Sequence, residues 1–184
     1  QQLGKPEDYG VAVMLGDVDG DGDLDALTAH YQKPLNLWLN DGHGVFTAHA
    51  DNLRSNDTTA TEAALGDMDG DGDLDALVSF YEKPNRLWLN DGSGNFTDSG
   101  QILDEKPGWK DSALGDVDGD GDLDAIIANS VGGNRLWLNT GGAAPILTDS
   151  GQTLGKGKTV ALGDLDGDGD LDALACEGLW LNNG

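Results

Sequence analysis

Short apolar runs alternate with acidic, glycine-rich turns along the whole chain, and the pattern comes round four times. Each round opens with a brief apolar strand: Val11 to Leu15, Ala63 to Leu65, Ser112 to Leu114 and Thr159 to Leu162. An Asp/Gly turn follows, then a second strand over Leu24 to His30, Leu74 to Phe80, Leu123 to Asn129 and Leu171 to Cys176. A variable turn leads to a third strand centred on L-W-L-N, at Asn36 to Asn40, Arg86 to Asn90, Arg135 to Asn139 and Gly178 to Asn182. In the first two rounds D-G-x-G (Asp41 to Gly44, Asp91 to Gly94) signals a tight hairpin into a fourth strand at Val45-Phe46-Thr47 or Asn95-Phe96-Thr97. The third round has Thr140-Gly-Gly-Ala-Ala-Pro-Ile there, a weaker strand signal, and the fourth round stops at Asn182-Asn183-Gly184. No stretch carries a sustained helical period with caps.

Four short antiparallel strands repeated at a fixed period predict an all-β chain built as a β-propeller. The acidic turns start 50, 49 and 48 residues apart. A unit of about 46 residues is too small to bury its own core, so neighbours must stack. We therefore read residues 1–184 as one domain of four blades, approximately 1–50, 51–100, 101–149 and 150–184. A sandwich is the competing all-β arrangement, and strict in-register repetition disfavours it. Gln1 to Lys5 resembles Gln152 to Lys156, which places the start of the chain in a crossover between blades. The last blade lacks a fourth strand. The ring is expected either to close on a three-stranded blade or to be completed from outside, with self-association through that blade as one route.

The formal net charge of −24 sharpens this picture. Each acidic turn holds five Asp, so 20 of the 34 acidic residues sit in four turns. That density repels itself unless a cation neutralises it. Disorder is excluded because 38% of residues are hydrophobic and recur in register with the repeat. The acidic surface argues against nucleic acid and anionic membranes as partners. No apolar run approaches the roughly 18 residues of a membrane span, so no membrane insertion is expected. The single cysteine, Cys176, excludes an intrachain disulfide, and its A-L-A-C setting predicts a buried strand position. A chain opening on Gln1, without Met or signal peptide, reads as a processed mature form or a domain of a larger protein.

The acidic turns have the spacing of a calcium loop. In the first, Asp17, Asp19 and Asp21 alternate so that their carboxylates converge, Gly20 and Gly22 allow a tight bend, the carbonyl of Asp23 offers a further oxygen, and Asp25 closes the shell. The same roles fall to Asp67, Asp69, Asp71, Asp73 and Asp75. They recur at Asp116, Asp118, Asp120, Asp122 and Asp124, and at Asp164, Asp166, Asp168, Asp170 and Asp172. Four Ca2+ ions, held structurally, are the expected cofactors. An EF-hand is excluded because its twelfth position should be Glu and is here Thr28, Val78, Ile127 or Ala175. Magnesium prefers a rigid octahedron with several waters, and zinc would need a Cys/His cluster. Weak calcium sites fill where calcium is plentiful, which predicts a secreted or cell-surface location.

The segments G-D-V-D-G-D-G-D-L-D-A-L (16–27) and N-L-W-L-N-D-G-H-G-V-F-T (36–47), with their three echoes, resemble the FG-GAP-like or VCBS-type repeat family over nearly the whole chain. The resemblance implies a calcium-stabilised propeller of the kind seen in integrin α heads and fungal propeller lectins, with the calcium loop between the first two strands of each blade. The eponymous Phe-Gly and Gly-Ala-Pro signatures are absent, and four repeats stand where the family typically has seven.

For function, multivalent carbohydrate binding at loops or grooves between blades is the leading expectation. Trp38, Trp88, Trp137 and Trp180 recur in phase with the repeat and are read as blade packing. Tyr9, Tyr31, Tyr81 and Trp109 vary between units and are the candidate ligand-binding residues. Arg86 and Arg135 suit either carboxylated sugars or pairing with neighbouring Asp. The alternative is protein adhesion or assembly within a larger extracellular protein, carried by variable turns such as Gln32 to Leu35, Glu82 to Asn85 and Asp51 to Thr59. An enzyme is not expected: the three His (His30, His43, His49) all lie in the first unit, no nucleophile motif is visible, and the clustered carboxylates are assigned to metal.

Overall fold

The computed structural model describes residue 3, residues 9–49, residue 53 and residues 59–184. Its elements are fifteen strands in four antiparallel sheets. The first sheet holds β1 (Gly10–Gly16), β2 (Asp25–His30), β3 (Lys33–Asn40) and β4 (Phe46–Ala48) in that order. The second holds β5 (Ala60–Gly66), β6 (Asp75–Phe80), β7 (Arg86–Asn90) and β8 (Phe96–Asp98). The third holds β9 (Lys110–Gly115), β10 (Asp124–Asn129), β11 (Arg135–Asn139) and β12 (Leu147–Thr153). The fourth has three strands: β13 (Val160–Gly163), β14 (Asp172–Ala175) and β15 (Gly178–Trp180). This is a propeller-type array of repeated blades, as the strand pattern predicts. The expected likeness of Gln1 to Lys5 to a crossover lies outside the described residues except for Leu3.

One register recurs in all four blades. The strand-one Gly faces the ninth-position Asp (Gly16 and Asp25, Gly66 and Asp75, Gly115 and Asp124, Gly163 and Asp172). One residue on, Ala26, Ala76, Ala125 and Ala173 each pair with the repeat's tryptophan on the third strand. A methyl opposite an indole leaves room for the ring to lie along the sheet.

The first strands stack on one another: β1 against β5, β5 against β9 and β9 against β13. The core therefore lies between blades. One cluster joins Val18, Leu27 and Leu37 of the first blade to Ala63, Val78, Trp88 and Phe96 of the second. The next joins Met68, Leu77 and Leu87 to Ala125, Ile127 and Leu147. The last joins Ile126 and Leu136 to Ala173, with Trp180 packed against it. Each fully buried leucine contributes roughly 1.5–3 kcal/mol, and none of this burial is available to a blade alone.

Two features pin each seam. A Cβ on Gly66 would lie 2.8 Å from Leu123 Cδ1 and 3.0 Å from Leu114 Cδ1 of the next blade, and Gly16 and Gly115 are approached in the same way. These glycines are needed for close approach, not for an unusual backbone. The Asn that ends L-W-L-N also reaches backward: Asn90 Nδ2 donates to Val18 O (2.8 Å), Asn139 Nδ2 to Met68 O (2.9 Å) and Asn182 Nδ2 to Val117 O (2.7 Å).

Two expectations need amending. The third blade has a full fourth strand despite its weak signal. Gln101 of the preceding crossover grips its start, Nε2 donating to Pro145 O (2.7 Å) and Oε1 accepting from Leu147 N (2.8 Å). And Cys176 is exposed, not buried. β14 ends at Ala175, and a two-residue turn at Cys176 and Glu177 runs straight into β15. The other blades hold Ala29, Ser79 and Ala128 at that position, inside longer strands that a following blade covers.

Candidate functional site

Each acidic turn is folded by its own carboxylates. Asp67 Oδ1 accepts from Gly70 N (2.8 Å) and Asp71 N (3.1 Å), and its Oδ2 accepts from Gly72 N (3.0 Å). Asp17 and Asp116 repeat these bonds, and Asp164 accepts from Gly167 N and Gly169 N. Gly72 sits at φ 97° with open space where a Cβ would be, so its requirement is conformational. The third Asp of each turn (Asp21, Asp71, Asp120, Asp168) accepts from the backbone two residues on. Asp23, Asp73 and Asp122 lay their side chains against Gly42, Gly92 and Gly141 of the adjoining hairpin.

The ninth-position Asp is buried in every blade and ties the turn to the sheet. Asp75 Oδ2 accepts from Met68 N (2.8 Å) while Oδ1 accepts from Asn90 N (2.8 Å). Asp25, Asp124 and Asp172 do the same with Val18 and Asn40, Val117 and Asn139, and Leu165 and Asn182.

These contacts bring carboxylate oxygens within 4.8 Å of one another in four clusters: Asp17, Asp19 and Asp25; Asp67, Asp69 and Asp71; Asp116, Asp118 and Asp124; Asp164, Asp166 and Asp172. Each could hold a metal ion. The donor set is all oxygen, suited to a hard cation. Burial first, then neighbouring Asp charges, raises the pKa of Asp19 and Asp69, and burial raises that of Asp166. Burial pushes Asp75 up to about 6. Such groups resist ionisation together, and a bound cation reverses that preference.

The four candidate ligand residues share one rim. Tyr9 and Trp109 occupy the position just before a first strand, and Tyr31 and Tyr81 follow a second strand. Tyr31 N donates to Tyr9 O (2.9 Å), which joins the first pair within one blade. Tyr81 and Trp109 meet across the seam between the second and third blades, with centroids 5.3 Å apart and planes tilted by 56°. Of the turn Asp51 to Thr59, only Leu53 and Thr59 are among the described residues.

Trp88, Trp137 and Trp180 of L-W-L-N pack between blades, as their phase predicts, whereas Trp38 joins none of the core clusters. Trp88 is buried, while Trp137 and Trp180 are half-buried. Trp38 Nε1 donates to Thr28 Oγ1 (3.1 Å), whereas the indole N–H groups of Trp88 and Trp137 meet no protein acceptor. Arg86 pairs with Asp98 (3.0 Å) and Arg135 with Asp149, so both arginines engage local Asp.

A cleft of about 360 Å³ escaped the sequence reading. Ile102, Asp104, Glu105 and Lys106 of the second crossover face Arg135, Trp137 and Asp149 of the third blade across it. Its crossover wall is rigidly held. Asp104 is buried with φ 43°, a left-handed backbone that costs energy in a non-glycine residue. Asn129 Nδ2 donates to Asp104 Oδ2 (2.6 Å), and the buried Lys110 Nζ donates to Asp104 O (2.6 Å) and Lys83 O (2.8 Å). The only sequence signal was a basic residue before L-W-L-N.

Residues 17–78, 77–127 and 116–175 match the family described as FG-GAP-like repeat. The chain belongs to the FG-GAP-like repeat family. No curated protein matches it. Among solved structures it is similar to the Vibrio cholerae biofilm matrix protein Bap1, at 21% identity and a TM-score of 0.56 over 96% of this chain and 30% of that one. It is also similar to an Agrocybe aegerita lectin that recognises non-reducing terminal N-acetylglucosamine, at 24% identity and a TM-score of 0.57 over 86% of this chain and 44% of the lectin. At these identities the likeness shows the fold. The chain spans less than half the length of either neighbour. No helix among its described residues is long and apolar enough to cross a membrane.

Proposed function

We propose that this FG-GAP-like repeat chain is a non-enzymatic, calcium-stabilised carbohydrate-binding module that works outside the cell. The observation that carries the binding reading is the cleft between the second crossover and the third blade. It sets Trp137 and the apolar Ile102 beside Arg135, Asp149, Glu105 and Lys106. A pyranose needs an apolar surface for its C–H face and paired donors and acceptors for its hydroxyls, and sugar sites combine the two in one concavity. Ca2+ in the four Asp clusters would hold the turns that carry the blades; its role here is structural. The lectin neighbour supports the sugar reading and the matrix protein supports an extracellular one.

A glycan array probed in millimolar calcium tests this directly. Binding to at least one glycan is expected, with a loss of tenfold or more in Trp137→Ala and in Lys106→Ala. Silence across the array shifts the reading to protein adhesion or assembly.

A further inference from the structure

We infer that the cleft between the second crossover and the third blade takes an uncharged pyranose and rejects its carboxylated counterpart, and that Asp149 is the residue that draws the distinction. This rests on the sugar reading of the cleft and adds the class of sugar. Its basis is how the charges of the lining are already engaged. Arg135 brings a guanidinium to the wall. Its Nε donates to Asp149 Oδ1 (3.3 Å) and its Nη2 to Asp149 Oδ2, a two-pronged pair that fixes both groups. Asp149 Oδ1 also accepts from Gly151 N (2.9 Å). Burial alone would raise the pKa of Asp149, but these bonds and the charges of Arg135 and Lys106 hold it below the usual carboxylate range, so the group stays ionised at neutral pH. Asp104 is answered from behind the wall: Asn129 Nδ2 donates to it (2.6 Å), and the buried Lys110 Nζ lies 3.9 Å away.

The pairing of Arg135 is built into the repeat. The Arg stands two residues before the tryptophan, and the Asp stands directly opposite that tryptophan on the fourth strand, Trp137 facing Asp149 and Trp88 facing Asp98. Arg86 meets Asp98 at 3.0 Å, and in both pairs the Arg side chain is 27% exposed and the Asp side chain 33%. In the first blade Asn36 stands in the place of the Arg, and Ala48, opposite Trp38, in the place of the Asp. Across these three blades the two members are present together or absent together. The guanidinium is there for its Asp and is not held open for an anionic ligand.

What faces a ligand is a set of charges in balance. Lys106 carries the other positive charge of the lining, its Nζ donating to Gly132 O (3.4 Å), and Glu105 beside it carries a negative one. With Lys110 behind Asp104, the carboxylates of Asp104, Glu105 and Asp149 are matched by Lys106, Lys110 and Arg135. Such a set offers acceptors and donors to hydroxyls, and the Nη1 of Arg135 can add its N–H groups. A sugar carboxylate would have to displace Asp149 from Arg135 or lie against Asp149 and Glu105, in the field of a chain of formal charge −24. Discrimination therefore comes from repulsion as well as from fit.

The test is an array in millimolar calcium and low salt at neutral pH, printed with matched sets of each hexose: the neutral sugar, its C6 carboxylate and its C2 amine. The parent chain should bind at least one neutral sugar, and the matching carboxylate about tenfold more weakly or worse. Added salt should narrow that gap, because it screens exposed charges. Asp149→Asn keeps the shape of the side chain and frees the Arg135 fork, so the preference for the neutral member should fall by about tenfold in a variant that circular dichroism shows to be folded. A parent chain that prefers the carboxylate or the amine overturns the inference and leaves the sugar reading standing. An unchanged preference in Asp149→Asn overturns it as well. Silence in every set overturns the sugar reading and this inference with it.

Discussion

Glu62 shows how one side chain can couple the blades to pH. It lies on β5, and its Oε2 accepts from Ser112 N (3.3 Å) and Ser112 Oγ (3.0 Å) on β9. Asp111 faces it and in turn accepts from Val160 N of the fourth blade (3.1 Å). Burial, then the Asp111 charge, lifts Glu62 from 4.5 to about 7. A carboxyl with a raised folded pKa binds its proton more tightly folded than unfolded. Its contribution is therefore complete below about pH 4.5 and is lost as pH rises through 7. The loss amounts to at most about 3 kcal/mol, taking 1.36 kcal/mol per pH unit. Glu62→Gln keeps an acceptor for Ser112 and stays neutral. Urea melts should show it more stable than the parent at pH 8 and no more stable at pH 4. Equal gains at both pH values would mean that ionisation is not the cause.

At the scale of the element, the third strand is the working part of each blade. In the second, third and fourth blades its tryptophan packs in the seam and its terminal Asn crosses it. Asn139 is buried, and its Nδ2 donates both to Met68 O (2.9 Å) and to Leu123 O (3.0 Å). Asn139→Ala should cost about 1–3 kcal/mol, because buried carbonyls lose their donor. Asn40→Ala should cost less, since Asn40 Nδ2 bonds only Leu24 O among the described residues. Equilibrium unfolding of the two variants compares them, and equal costs would contradict the seam role. The alternation of apolar and polar positions made these strands legible. The grip of Gln101 on β12 was not, because it joins residues 46 apart in sequence through a side chain whose direction no local pattern encodes. Cys176 misled for a related reason. A-L-A-C reads as strand, yet its burial depends on a neighbouring blade and on the length of the turn that follows.

For the whole molecule, the acidic turns set the balance of charge. Four divalent ions would bring the formal charge from −24 to −16. If free calcium exceeds Kd a hundredfold, each ion adds roughly 2.7 kcal/mol. Chelation should therefore lower the melting temperature markedly, and readdition of calcium should restore it in scanning calorimetry. An unchanged melting temperature would remove calcium from the account. Magnesium at equal concentration should protect less, because it gives up water reluctantly and favours a rigid octahedron. Asp75→Asn should weaken the fold even without calcium, since the ninth Asp accepts backbone N–H bonds with both oxygens.

The sequence by itself determined the repeat, the strand order within a blade, the turns and the carboxylate clusters. All of these depend on residues within one unit, where spacing and backbone preference suffice. The tertiary structure alone decided what lies between units: the glycine cradles, the Asn bonds, the shared Glu62–Asp111 contact, the meeting of Tyr81 with Trp109 and the cleft beside Trp137. Those contacts join side chains of different blades, and only blade stacking sets their directions. It also decided which leucines are core and which are surface. Leu77 and Leu174 hold the same place in the repeat; the third blade covers Leu77, whereas Leu174 is 49% exposed.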